Sequence, residues 1–289
     1  MASTMKKPSK TAELVCAARA GHTLHEKNPI YSDPLAIELC RGFWKWVAQY
    51  RGLNRFMMNI ALKKISPIIP EIIVRAKFCR EVFDDYARNG LKQFVILGAG
   101  YDSLPYGDEF PTDIKVFEID LEVTQTEKLA RLTPINKNNL PHICYLPADL
   151  SVESLDKVLG NSEFDFSKKA LLSWFGVTYY IPKEGYLNTL RFVKEHLAPG
   201  SAIIFDFLLP PDDIPGEWKI VAEKCGDFVA KRGEPWINRM NESDIMADLD
   251  ELGFKDPKIF MPNLIEQEFI NSDFEFPQVM GFCLASLPE

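Results

Sequence analysis

Two glycines and an aspartate set the first chemical expectation. In VILGAGYDS an apolar run ends at Gly98, Ala99 and Gly100, and residues with little or no side chain let a backbone come close to a ligand. Asp120 closes the run KVFEID about 20 residues after Gly100, where a carboxylate in an open α/β sheet accepts hydrogen bonds from ribose hydroxyls. Asp120 is the favoured ribose acceptor and Glu118 the second candidate. The pair of features predicts a nucleoside-bearing ligand.

The turn also says which nucleoside. A dinucleotide fingerprint wants a third glycine or alanine as the helix starts, but here Ser103 and Leu104 follow, and Asp102 puts a negative charge beside the turn. A pyrophosphate would be repelled there, whereas the sulfonium and ammonium of S-adenosyl-L-methionine would not. S-adenosyl-L-methionine is therefore the expected cofactor, and an NAD-dependent dehydrogenase the less favoured reading. In PADL, Asp149 could accept from the adenine amine and Leu150 could pack on the ring; the competing use of Asp149 is to cap the helix expected over SVESLDKVL, a role open to Ser151 as well. His22, His25, His142 and His196 stand isolated, and neither a Ser-His-Asp set nor a metal-ligand spacing occurs, so no metal is expected.

These residues need a scaffold, and the hydrophobic pattern supplies one. From Thr11 to about Tyr86 the segments TAELVCAARA, DPLAIELC and IIVRAKFCREVFDDY repeat apolar residues every three or four positions, the helical period. Between them Phe43, Trp44, Trp46, Tyr50, Phe56, Met57 and Met58 crowd FWKWVAQY and LNRFMMNIAL, and are expected to pack a core or to line an apolar substrate pocket. After Gly90 short apolar runs (QFVILG, KVFEID, ICYLPA, ALLSWFG, AIIFDFLL) alternate with helical segments, the signature of βαβ units and a mainly parallel sheet. The tail adds a helix over SDIMADLDELGF and strands over KIFM and VMGFCLASL, for seven strands in all. The amphipathic EWKIVAEKCGDFVAKRG, after a Pro-rich loop, reads as an insertion over the sheet's carboxyl edge. The predicted organisation is a helical cap over residues 1–88 and a Rossmann-like core over 89–289 with a lid around 210–240.

Composition narrows the partners. A formal charge of −8 and a pI near 5.2 argue against nucleic acid, which needs clustered Lys and Arg. No apolar run approaches the roughly 20 residues of a membrane span. The start MASTMKKPSK lacks the apolar stretch of a secretory signal, and the six cysteines have no close spacing, so free thiols and a cytoplasmic setting are expected. The sequon Asn241-Glu242-Ser243 would matter only in a secreted chain. Oligomeric state is not legible.

Taken in order, SKTAELVCAARAGHT, DPLAIEL, Arg75 in VRAKF, QFVILGAGYDS, VFEIDLEVTQTEKL, ADL, FGVTYYIPKEGYLNTLRFV and LAPGSAIIFDF resemble the leucine carboxyl methyltransferase family and its bacterial O-methyltransferase branch, over roughly residues 9–208. The resemblance implies a class I methyltransferase fold in which Arg75 grips the cofactor's carboxylate, Gly98, Ala99 and Gly100 face its methionine part, Asp120 holds the ribose, and Asp149 and Leu150 bind the adenine. It also places Arg19 in the N-terminal helix beside the site, and Tyr180 and Arg19 are the candidates to line the acceptor pocket as catalytic residues. One departure stands out. Where the family carries an acid after the fourth strand, close to the methionine ammonium, this chain has Phe175. Weakened cofactor binding, or a binding protein that acts through partners, is the consequence to test.

Methyl transfer is an in-line displacement at a carbon the sulfonium already activates, so alignment is the protein's main contribution. A carboxylate acceptor is ionised at pH 7 and needs no base, whereas a hydroxyl needs one. With no His base in evidence, the expected acceptor is a carboxylate of a small molecule or a peptide C-terminus.

Overall fold

The computed structural model describes residues 10–270 and 274–289; the segment read for a secretory signal lies almost wholly outside them, as does Ser9. Five helices precede the sheet: α1 (Lys10–His25), α2 (Ala36–Leu39), α3 (Gly42–Gln49), α4 (Arg51–Phe56) and α5 (Ile69–Arg88). Pro70 in the first turn of α5 gives up a backbone N–H that would have had no partner there. Gly90, with φ of +85°, lets the chain turn away from that helix into the sheet.

The seven predicted strands form: β1 (Gln93–Leu97), β2 (Lys115–Asp120), β3 (Ile143–Pro147), β4 (Ala170–Trp174), β5 (Ala202–Leu208), β6 (Lys258–Phe260) and β7 (Met280–Ser286). They lie in the order β3-β2-β1-β4-β5-β7-β6, with β7 antiparallel to both neighbours and the other pairs parallel. Between them run α6 (Glu122–Leu132), α7 (Leu155–Gly160), α8 (Lys183–His196), α9 (Gly216–Ala230), α10 (Glu242–Glu251) and α11 (Pro262–Phe269). This is the α/β, class I methyltransferase arrangement, with helices ahead of the sheet and an insertion after the fifth strand. Strand order reverses between β1 and β4, and ligands of open α/β sheets bind in the crevice at such a point. Every residue of β1, β4 and β5 is buried, as strands covered on both faces must be. Phe78 and Phe83 of α5 share a core with Phe94 of β1 and Phe282 of β7.

Local chemistry corrects several expected elements. DPLAIELC yields only the short α2: Asp33 accepts from the Ala36 N–H, and Cys40 already has extended backbone. Over SVESLDKVL the helix begins at Leu155, because the Asp149 carboxylate accepts from both the N–H and the hydroxyl of Ser151 and makes a local turn instead. Helix α11 lies between the last two strands, where the sequence reading placed no element. Of the aromatic residues in this stretch only Trp44 packs against the core, and none lines the cavity: Phe43, Trp46, Tyr50 and Phe56 are each at least half exposed. Cysteines 24 residues apart come together, with the sulfurs of Cys16 and Cys40 at 3.7 Å, although all six remain thiols. No helix among the described residues is long and apolar enough to cross a membrane, and no cluster of metal-ligating side chains occurs among them.

Candidate active site

At the end of β1 the N–H groups of Gly98 and Ala99 both donate to the Ile119 carbonyl, at 2.8 and 3.2 Å, which ties the turn to β2. Gly98 has φ of +69°, and a Cβ there would stand 2.5 Å from a methyl of Val177. The space left by the missing side chain is therefore taken by Val177 rather than by a ligand. Gly100, with φ of +45°, turns its N–H to the Asp120 Oδ2 at 2.6 Å, and the Leu121 N–H donates to Oδ1 at 2.6 Å. Burial raises the Asp120 pKa, and these two N–H groups oppose the rise. Each carboxylate oxygen keeps acceptor capacity for a ribose hydroxyl.

Residues two apart share a strand face, so Glu118 and Asp120 start on one side of β2. Lys128, ten residues further on α6, separates their uses: it binds both oxygens of Glu118 at 2.8 and 2.9 Å in full burial. Glu118 is thus a structural acid and leaves Asp120 to the cavity.

All eleven site residues predicted from the sequence (Arg19, Arg75, Gly98, Ala99, Gly100, Asp102, Asp120, Asp149, Leu150, Phe175 and Tyr180) line a single cavity of about 450 Å³ over the carboxyl ends of β1, β2 and β4. Helices α1, α5 and α9 wall it, and the segment that follows α9 is pinned to the turn after β4, where Ile237 N–H donates to the Tyr179 carbonyl at 2.8 Å. Asp102 accepts from the Leu104 N–H at 2.8 Å and so shapes the turn besides charging it. Arg19 binds Asp33 at 2.8 Å and donates to the Tyr101 carbonyl at 2.6 Å, clamping α1 to the glycine turn. Phe175 packs edge-on against Phe78 and Phe282, so the place of the family's acid is an aromatic corner. Tyr180 leans on Tyr179, ring centroids 4.7 Å apart, and burial pushes its hydroxyl pKa up.

Arg75 reaches the cavity wall already engaged. Its Nη1 lies 3.2 Å from Asp206, 3.5 Å from Glu71 and 3.4 Å from the Tyr179 hydroxyl. Asp206 also accepts from the Gly176 N–H, at 2.9 and 3.0 Å to its two oxygens. Sequence reasoning passed over Asp206, Glu71 and Asp33. Two signals were there: an aspartate inside the apolar run AIIFDFLL, and a glutamate one residue ahead of the helical segment IIVRAKFCREVFDDY, four residues before its arginine.

The wall suits a cationic nucleoside. It carries Asp33, Glu71, Asp102, Asp120, Asp149 and Glu234 against only Arg19 and Arg75. S-adenosyl-L-methionine, with sulfonium and ammonium against one carboxylate, is drawn into such a field. Asp120 would hold its ribose and Leu150 would lie against its adenine.

Comparison with known proteins agrees. A model of the family described as leucine carboxyl methyltransferase matches residues 12–194. A Bacillus subtilis protein carrying the name of an S-adenosyl-L-methionine-dependent methyltransferase is 31% identical over 223 residues, 70% of this chain and 72% of that one. A Mycobacterium marinum protein of the same name is 30% identical over 230 residues, 76% and 69% of the two chains. Among solved structures, a Thermobifida fusca protein titled as a methyltransferase has the same fold, with a TM-score of 0.63 at 17% identity and coverage of 99% and 97%. A Streptomyces avermitilis protein of the DUF574 family gives a TM-score of 0.57 at 13% identity, covering 94% and 97%. The dehydrogenase reading is set aside. In its motifs, its sheet and a match over well more than half its length, the chain belongs to the leucine carboxyl methyltransferase family of S-adenosyl-L-methionine-dependent methyltransferases.

Proposed function

We propose that this methyltransferase transfers its methyl group to an oxygen of a small, apolar-bodied molecule, with residues 1–88 as a cap and residues around 210–240 as a lid. Ile65, Ile68 and Ile72 on one side and Phe228, Val229 and Trp236 on the other offer such a body an apolar wall. The bound cofactor supplies a methyl group on a positive sulfur; the chain's own residues orient the acceptor and keep water away. The six free thiols agree with a cytoplasmic setting.

One observation carries the choice of acceptor. Both arginines of the cavity are already opposed by buried acids, Arg19 by Asp33 and Arg75 by Asp206 and Glu71. The carboxylate expected from the sequence would find no cation unspent and several acids facing it, so a neutral hydroxyl is favoured. The test is transfer from tritiated S-adenosyl-L-methionine to a panel of small alcohols, phenols and carboxylic acids, followed by alkali. Ethers keep their label and esters lose it as methanol, and alkali-stable product is expected. A chain that binds cofactor and works through partners is the second reading, for which Phe175 in the acid's place speaks; binding of S-adenosylhomocysteine without turnover on any acceptor would favour it.

A further inference from the structure

We propose that Glu71 is the general base of this site and takes the proton from the acceptor hydroxyl; this rests on the O-methyltransferase reading above and deepens it. Glu71 lines the cavity from the first turn of α5, its side chain 2% exposed, and its Oε1 has no hydrogen-bond partner, only Arg75 Nη1 at 3.5 Å. A buried acceptor without a donor is costly unless something supplies one, and a substrate O–H would. Ile68 and Ile72 from its own segment, Tyr179 after β4 and Cys225 from α9 line the same cavity.

Two carboxylates share one guanidinium here, which makes the cluster a proton acceptor. Burial raises both acids, but Asp206 holds Arg75 more closely and takes two contacts from the Gly176 N–H that favour its charged form, which makes Glu71 the member that protonates. Desolvation accordingly brings Glu71 up to about 7, with Arg75 opposing and Asp206 reinforcing the rise. The other groups that face it titrate elsewhere: burial sends the Tyr179 hydroxyl well above its usual range and the Cys225 thiol to about 12, and Arg75 stays charged.

In the step, the hydroxyl proton passes to Glu71 Oε1 while the acceptor oxygen bonds to the methyl carbon. The carbon–sulfur bond breaks and its electron pair stays on sulfur. Charge balances: carboxylate and sulfonium become carboxylic acid and thioether, and the acid later gives its proton to water.

The probes are 2-naphthol and 2-naphthoate, rings of one size bearing a neutral or an anionic oxygen group, titrated at pH 8 into the S-adenosylhomocysteine complex by tryptophan fluorescence. Naphthol should bind at least tenfold tighter, and Glu71→Gln should cut that preference about tenfold while S-adenosylhomocysteine affinity holds and melting stays a single cooperative transition. A ¹³C carboxyl resonance lost in Glu71→Gln should titrate near 7, and transfer to 2-naphthol should fall about 100-fold in the variant. Naphthoate binding as well as naphthol, neither probe binding while S-adenosylhomocysteine does, or a Glu71 signal fully ionised below pH 5 would each overturn the proposal. Failure to bind S-adenosylhomocysteine would overturn the O-methyltransferase reading, and this inference with it.

Discussion

Arg75 of α5 and Asp206 of β5, 131 residues apart in the chain, meet at 3.2 Å beneath the turn after β4. Asp206 is fully buried and Arg75 mostly so, and Asp206 is bound in addition by the Gly176 N–H. The contact joins the helices ahead of the sheet to the sheet's centre at the floor of the cofactor cavity. Asp206→Ala should therefore cost about 3 kcal/mol, because Arg75 and Gly176 each lose a buried partner, and lower Tm by roughly 6–12 °C. Calorimetric melting checks this, and an unchanged Tm would mean the contact holds nothing together.

Gly98 is defined by its neighbour as much as by its φ. Gly98→Ala should destabilise by about 2 kcal/mol and weaken S-adenosylhomocysteine binding, since the new methyl strikes Val177. Adding Val177→Ala should return part of the loss. Melting and titration of the single and double variants measure the recovery; none would leave backbone strain as the whole effect.

The two acids of β2 should separate by readout. Asp120→Ala is expected to weaken S-adenosylhomocysteine by one to two orders of magnitude, the equivalent of about 1.5–3 kcal/mol for a charged hydrogen bond, as the Gly100 N–H also loses its partner. Glu118→Gln should act on stability instead, because it strands Lys128 in the core.

Phe175→Glu restores the family's acid at the expense of ring contacts with Phe78 and Phe282. S-adenosyl-L-methionine should bind about tenfold tighter, as its ammonium gains a carboxylate, while Tm falls. Weaker binding would show that the aromatic corner has a positive role.

Glu71 also predicts a sign for stability against pH. Its folded pKa of about 7 lies above the ordinary 4.5, so the folded state holds the extra proton; the stabilisation is complete below about 4.5 and lost as pH rises through 7. The Tm of Glu71→Gln relative to the parent should therefore rise between pH 5 and pH 8. A difference independent of pH would place the Glu71 pKa outside that interval.

Periodicity and local chemistry made much of this protein legible in the sequence. The seven strands, the helical start, the glycine turn with Asp120, and the insertion after β5 all follow from patterns within a few tens of residues, the range over which burial period and turn chemistry act. The failures were of two kinds. Asp149 spent its carboxylate on Ser151 and shortened a helix, a local competition that pattern alone does not rank. In the aromatic stretch around Trp46 only Trp44 reaches the core, which residues from α5 and the sheet already fill, and Phe43, Trp46 and Tyr50 face outward. Apart from the i, i+4 spacing of Glu71 and Arg75, the pairing of charges was beyond reach. Lys128 takes Glu118, Asp33 takes Arg19, and Asp206 with Glu71 takes Arg75, because an ion in a low-dielectric interior must find a counterion wherever the fold brings one. Sequence alone placed eleven of the residues that line the cavity; tertiary structure set Asp33 and Glu71 among them and decided which of the charges there are paired, because a buried ion takes the counterion that the fold brings near.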